Sequence, residues 1–462
     1  MSTKYRIGIG LLGKGSTNHL HLRQVVEAFR GKAVEPVYIV RADYFDVLEK
    51  MSGVDYRKVS ISRPSGIKGR IIDSLQSIRK LYPSYDKGRS VDTPAIKGLS
   101  LIGQAVLLVK RFLARSLLSA EFAVWLEGRL YGPECVAGIS AGDFDQLLLL
   151  GIGAVNSELE GQLSWWAKYH DIPLVHYIGN YDSLSSKGFR GITVKRLLVW
   201  GPSMREDAET LQHIDGSKIT AIGSLRYNNA LMPHLDTDRS RFLVSVGLDP
   251  AKKTLLYAGF VIEHSYFEIL EIYQHLLATR GDVQLIIRLY PNKDLMGSSF
   301  VPAMIGYAKT LPNVFISLAD PHYKKGERGR EVLHIEEYEL VNALAHCDVV
   351  INQFSTISIE ACLFEKPVIN MWYLPKPPRI LKEKPEYFEF HNLYHTRRML
   401  SYGAVPLAQN RGEVIDLIID ALDNPVRRQA ERKNVVEKEI GQVDGKALDR
   451  LVDICIKEYE CH

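Results

Sequence analysis

The feature that most constrains this chain is an alternation, repeated in two series, of short apolar runs rich in β-branched residues with stretches of helical periodicity. From Tyr5 the order is strand (YRIGIGLL), a glycine turn Gly13-Lys14-Gly15-Ser16, helix (about His19 to Arg30) and strand (Pro36 to Val40). A basic helical stretch follows, then strand (FDQLLLLG), helix (Ser157 to His170) and strands PLVHYIG and KRLLVWG. The polar, Pro-containing stretch Met232 to Lys253 separates this from a second series. That series reads strand (TLLYAGF), helix (His264 to Arg280), strand (VQLIIRLYP), helix (about Ser298 to Thr310), strand (NVFISL) and helix (about Glu337 to His346). Such alternation predicts two α/β domains, each a parallel sheet covered by helices, with a cleft between them. Residues 1–235 and 250–425 are the expected domains, with a helical insertion at about 63–130. The tail, 426–462, has helical spacing rich in Glu, Lys and Arg and is expected to cross between the domains.

Between Asp348 and Asn370 the sequence DVVINQFSTISIEACLFEKPVIN reads as strand, polar turn, helix and second buried strand. It delivers Asn352, Gln353, Phe354, Ser355 and Thr356 to the carboxyl end of a parallel sheet, where open α/β folds bind ligands. Ser355, Thr356 and the following backbone N–H groups sit at a helix start, which favours anions. Glu360 lies about one turn further on, so that a carboxylate and two hydroxyls face a phosphate and a ribose diol. An ordinary Ser/Thr N-cap with a solvated glutamate has the same spacing.

At 462 residues, 46% hydrophobic and 24% charged, the chain has room for two or three cores, and its formal charge of +4 calls for no nucleic-acid partner. Cys135, Cys347, Cys362, Cys455 and Cys461 form no CxxC pair and no Cys/His cluster with zinc-ligand spacing. Free thiols in a reducing compartment and no structural metal are expected. The N-terminus enters a strand pattern without a secretory signal, so a cytoplasmic location is expected.

No apolar run reaches the length needed to cross a bilayer. From Arg63 to Arg115, however, eleven Lys or Arg stand against three Asp, a local excess of eight, beside apolar helical stretches such as LSLIGQAVLLV. Peripheral attachment to an anionic membrane at the inner face of the plasma membrane suits this pattern. Buried helices with basic, solvated ends suit it equally.

IIRLYPNKD (Ile286 to Asp294), EEYELVNALAHCDVVINQFST (Glu336 to Thr356) and Glu360-Ala361 followed by EKPVI resemble the nucleotide-binding domain of GT-B glycosyltransferases. The resemblance is to the bacterial surface-polysaccharide group, which shades into CDP-glycerol glycerophosphotransferases and sugar-nucleotide 2-epimerases. IPLVHYIGNYDSLSSKG (Ile172 to Gly188), RLLVWGPSM and KITAIGSLRYNN look like the end of that group's first domain. The resemblance implies two Rossmann-like, doubly wound domains facing a cleft. It also implies a nucleotide-sugar donor, a carbohydrate or lipid-linked acceptor, no cofactor, and inversion without a metal. Arg288 is retained, but Tyr290-Pro291 stands where the group often has His-Pro. The epimerases' Asp-Ser-Gly-Gly-like run and paired glutamates are replaced by Asn352 to Thr356 and a single Glu360, which favours transfer over epimerisation.

On this reading Arg288, Tyr290, Gln353, Phe354, Ser355, Thr356 and Glu360 bind the donor. The group takes its base from the first half, where Asp182 is the preferred candidate and His19 the other. An Asx-turn residue has the same sequence signature as Asp182. Gly13, Lys14, Gly15 and Lys187 are candidates for phosphate or acceptor contact, although the glycine turn fits neither GxxxxGK[ST] nor GxGxxG. Other readings on the same fold are a non-catalytic sugar-nucleotide or polysaccharide-binding subunit, a glycerophosphotransferase and a 2-epimerase.

Overall fold

A computed structural model describes residues 5–11, 19–30, 32, 34–41, 55–82, 100–151, 158–191, 194–230, 232, 235–260, 262–290, 295, 298–318, 329–373 and 392–460. The chain forms two compact units. The first comprises Met1–Ala230, Asn392–His395 and Lys438–His462, and the second Leu231–His391 and Thr396–Glu437.

The first unit contains β1 (Tyr5–Leu11), β2 (Val34–Arg41), β3 (Asp55–Ile61), β4 (Val136–Ala137), β5 (Gln146–Gly151), β6 (Leu174–Ile178), β7 (Arg196–Val199) and β8 (Ile219–Ala221). They lie in the order β4-β3-β2-β1-β5-β6-β7-β8. All neighbours are parallel except β3 and β4, which pair antiparallel at Ser60–Ala137 and Ile61–Val136. The run QLLLLG of β5 is buried throughout, as a central parallel strand covered on both faces must be. Strands β3, β4 and β8 were not read from the sequence; β3 (DYRKVSI) is half charged and polar and buries only Val59, and the other two are only two and three residues long.

Between β3 and β4 lie the insertion helices Gly66–Leu81, Leu101–Leu113 and Leu117–Tyr131. The first and third are joined by the buried Arg79–Glu127 ion pair. Arg79 also donates from Nε to the Phe189 carbonyl at 3.0 Å, so its charge is answered on several sides. The tail from Lys438 onward belongs to this unit. Asn228 Oδ1 accepts from the N–H groups of Asp444 and Gly445 at 2.9 and 2.8 Å, and Tyr5 stacks on Tyr459.

The second unit contains β9 (Lys253–Ala258), β10 (Val283–Arg288), β11 (Val314–Ser317), β12 (Val349–Asn352), β13 (Val368–Met371) and β14 (Leu407–Ala408), all parallel, in the order β11-β10-β9-β12-β13-β14. The stretch read as a linker holds a helix, Arg239–Ser245. It is started by Asp238, whose Oδ1 accepts from the N–H groups of Ser240 and Arg241.

Candidate functional site

In the second unit the chain starts at β9, moves outward to β10 and β11, then returns to β12 on the other side of β9. The strand order therefore reverses between β9 and β12, and connections leaving these two strands diverge and open a crevice at their carboxyl ends. Gly259 and Phe260 follow β9; Gln353 and Phe354 follow β12. Gln353 Oε1 accepts from the Phe260 N–H and from Ser265 Oγ, both at 3.3 Å, so one side chain joins the two strand ends. Gln353 is only 2% exposed, and its Nε2 has no acceptor among the described residues.

Phe354 is held at φ 49°, a left-handed conformation that disfavours side chains. It is fixed there by its N–H, which donates to Asn370 Oδ1 at 3.0 Å, and by an edge contact with Trp372 at 5.1 Å. Asn352 Nδ2 donates to Ser358 Oγ at 3.0 Å, locking the strand end to the helix Ile357–Leu363. On the other side Phe260 packs on Tyr290 at 4.9 Å. Gly259 is required here, since a Cβ would sit 2.5 Å from the Tyr266 ring, whose hydroxyl accepts the Tyr290 N–H at 3.1 Å. Tyr290, Phe260, Phe354 and Trp372 thus stand one or two residues beyond the ends of four adjacent strands. Of these four aromatics, Phe260 and Trp372 were missed in the sequence. A signal was present, because Phe260 closes the predicted apolar strand TLLYAGF and Trp372 falls just past the one ending at Asn370.

Ser355 Oγ accepts the Ile357 N–H at 3.3 Å, while Thr356, the residue before the helix, makes no side-chain cap. Glu360 lies in the first turn of that helix as expected, but its side chain is 2% exposed rather than solvated. Arg288, at the end of β10, donates to Ser317 Oγ at 2.9 Å, and that hydroxyl in turn donates to Glu339.

In the first unit, Asp182 follows β6 at the carboxyl edge of its sheet and precedes the four-residue helix Ser183–Ser186. Its Oδ2 accepts from Ser186 Oγ at 3.0 Å and lies 3.6 Å from Lys187 Nζ. Burial pushes the carboxyl pKa up, but Lys187, His395 and the Ser186 hydroxyl together hold it below the ordinary aspartate value. Lys187 therefore meets Asp182, five residues before it in the same loop. His395, missed in the sequence, is buried with its ring 5.3 Å from that of Tyr181, the neighbour of Asp182. His19 opens the helix His19–Arg30. Gly13, Lys14 and Gly15 lie outside the described residues.

Two further features of the first unit stand apart from Asp182. Glu160, Arg190 and His176 form a buried cluster, with His176 Nε2 3.0 Å from Glu160 and Arg190 paired to the same carboxylate. A groove of about 960 Å³ is lined by Trp125, Arg129, Trp165, Tyr169, Phe189 and His213 among others. It is formed in part by the segments entering β7 and β8, so this groove lies at the amino edge of the sheet. Among the described residues no group of three or more His, Cys, Asp or Glu is arranged to hold a metal ion.

No protein-family model matches the chain, and no curated protein matches it in sequence. Solved structures do match in fold over nearly the whole length. UDP-GlcNAc 2-epimerase from Neisseria meningitidis, bound to UDP-GlcNAc, has a TM-score of 0.53 at 13% identity, covering 98% of this chain and 99% of that one. The corresponding enzyme from Methanocaldococcus jannaschii gives 0.52 at 12% identity, with 98% and 99% covered. The S. aureus MnaA structure with UDP gives 0.51 at 15% identity, with 99% and 97% covered. With two α/β units built on parallel sheets, the chain shares the GT-B type of fold with these proteins.

Proposed function

We propose that this chain binds a nucleotide sugar at the carboxyl edge of the second sheet and transfers the sugar to a carbohydrate or lipid-linked hydroxyl. The observation that carries the reading is Gln353, buried at the strand-order reversal, bridging β9 and β12 while its Nε2 has no acceptor among the described residues. A buried amide in that state is a ready donor to a ligand or an ordered water. The fold neighbours with bound UDP-GlcNAc and UDP support the same ligand class.

In this proposal the aromatic residues beyond the strand ends offer faces to the base. Thr356 and the turn offer donors to phosphate, and Glu360 accepts from the ribose diol. Arg288, tied to Ser317 through Nη1, offers its guanidinium to the diphosphate. Asp182 and His395 form the proton-accepting pair. The depressed pKa makes Asp182 alone a weak base, whereas an ionised carboxylate beside an imidazole stabilises the imidazolium formed when the ring takes a proton. Transfer proceeds without a metal in this account.

A second reading, 2-epimerisation, is favoured by the names of the fold neighbours. Incubation with UDP-GlcNAc and with GDP-, CMP-, CDP- and dTDP-sugars separates the two. Slow release of free nucleotide, accelerated by an acceptor, is the result expected for a transferase. Inversion at C-2 with the nucleotide still attached would establish the epimerase instead.

A further inference from the structure

The insertion helix Leu101–Leu113 is turned inside out. Of its thirteen residues only Leu107 is buried, while Leu101, Ile102, Val106, Leu108, Val109, Phe112 and Leu113 are all exposed, Leu101 and Ile102 to 84% and 78%. At 3.6 residues per turn these side chains span an arc of about 160°, directly opposite Leu107. Lys110 and Arg111 fall on the two flanks of that arc. Packing among the described residues of the first unit does not account for such a face, because Leu107 already makes the inward contact, with Leu81, Ala114 and Ile78.

The next helix continues the pattern. Leu118, Phe122, Trp125 and Arg129 are spaced four, three and four residues apart and so share one side of Leu117–Tyr131. Leu118, Phe122 and Trp125 are each more than half exposed, Phe122 stacks on Trp125 at 5.6 Å, and the Arg129 guanidinium lies over Trp125 at 5.1 Å. The opposite side, carrying Ala120, Ala123 and Val124, is buried.

We propose that the outward faces of these two helices dock the protein onto an anionic lipid bilayer, inserting their apolar side chains among the acyl chains. Charge decides the occupant. Within 100–131 the cations are Lys110, Arg111, Arg115 and Arg129, against the carboxylates Glu121 and Glu127, and Glu127 is engaged by Arg79. A lipid surface with anionic headgroups answers that excess. A second copy of the chain would set the same cations opposite one another across a two-fold interface. Arginine over tryptophan beside an apolar face suits the headgroup boundary, where amphipathic rings and snorkelling cations settle. The helix lies on the membrane rather than across it, since no helix among the described residues is long and apolar enough to span one. The proposal does not rest on the nucleotide-sugar reading.

The test is co-flotation of the full chain with vesicles of phosphatidylcholine containing about 30% phosphatidylglycerol, and with phosphatidylcholine alone, at low and high salt. The wild type is expected to float with the anionic vesicles and to retain part of its binding at high salt, because insertion is not screened. The double variant Val109→Asp/Phe112→Asp is expected to lower partitioning by about tenfold or more at an unchanged unfolding temperature. Lys110→Glu/Arg111→Glu is expected to abolish the preference for anionic vesicles. Unchanged partitioning in both variants would overturn the proposal. So would a wild type that ignores vesicles yet sediments as a dimer broken by Val109→Asp/Phe112→Asp, since a second copy would then cover the face.

Discussion

Gln353 accepts the backbone N–H of Phe260 at 3.3 Å, tying together the ends of the two strands between which the order of the second sheet reverses. Gln353→Leu removes that acceptor and the Nε2 donors in one step. It is expected to destabilise the protein by about 1–3 kcal/mol, measured by urea unfolding, because the Phe260 N–H loses its partner. It should also weaken nucleotide-sugar binding beyond what the lower stability explains. Unaltered affinity in a titration of the folded variant would remove Gln353 from the donor site.

The Asp182–His395 pair makes a sharper claim on turnover. Asp182→Asn and His395→Gln should each reduce turnover by about 10²-fold or more while leaving donor affinity unchanged. Because the two act as a unit, the double variant should lose little beyond either single one. Independent, multiplicative losses in single-turnover rates would mean that the residues act separately and would restore Asp182 or His19 as a lone candidate.

The strand-helix alternation was legible because parallel strands buried on both faces must be continuous apolar runs, as in QLLLLG and VQLIIR. The unit around Asn352 to Glu360 was legible for the same reason, with the turn chemistry between strand and helix marking the edge. What escaped depended on tertiary contact. His395 reaches the neighbourhood of Asp182 from more than two hundred residues away, and no local pattern announces it. Phe354 adopts its left-handed conformation because Asn370 and Trp372 hold it, which spacing alone does not reveal. The helix Leu101–Leu113 shows an apolar periodicity that normally means burial, and here its wide face points outward.

His176 supplies a pH dependence of stability. Burial, then the neighbouring Arg190 charge, lower its pKa in the folded state, against a smaller opposing effect of Glu160. The unfolded imidazole binds a proton more readily than the folded one, so the contribution of this group is intact above an unfolded pKa of about 6.5 and falls away as pH drops below it. The unfolding free energy is expected to decline from pH 7 to pH 5, and His176→Gln to flatten that slope. The depressed Asp182 pKa adds a second loss at lower pH, as the medium approaches and passes through its folded value. An equally steep slope in His176→Gln would assign the acid sensitivity to other groups.

Cys347 and Cys362 are buried, and burial pushes both thiols up to about 12. At pH 8 they are protonated and shielded, and so poor nucleophiles. A disulfide reagent should modify them only after denaturant is added. Rapid labelling of Cys347 or Cys362 in the native protein, located by peptide mapping, would contradict this packing.

The most direct test of the central claim is thermal unfolding with nucleotide sugars, UDP-GlcNAc first, on the wild type, Gln353→Leu and Glu360→Ala. A ligand of the folded state at 100 times its dissociation constant stabilises by about 2.7 kcal/mol. The account predicts a concentration-dependent rise in the wild-type midpoint that is lost or strongly reduced in both variants, each compared with its own ligand-free midpoint. No rise with any nucleotide sugar, or a full rise in both variants, would contradict a donor site at the carboxyl edge of the second sheet.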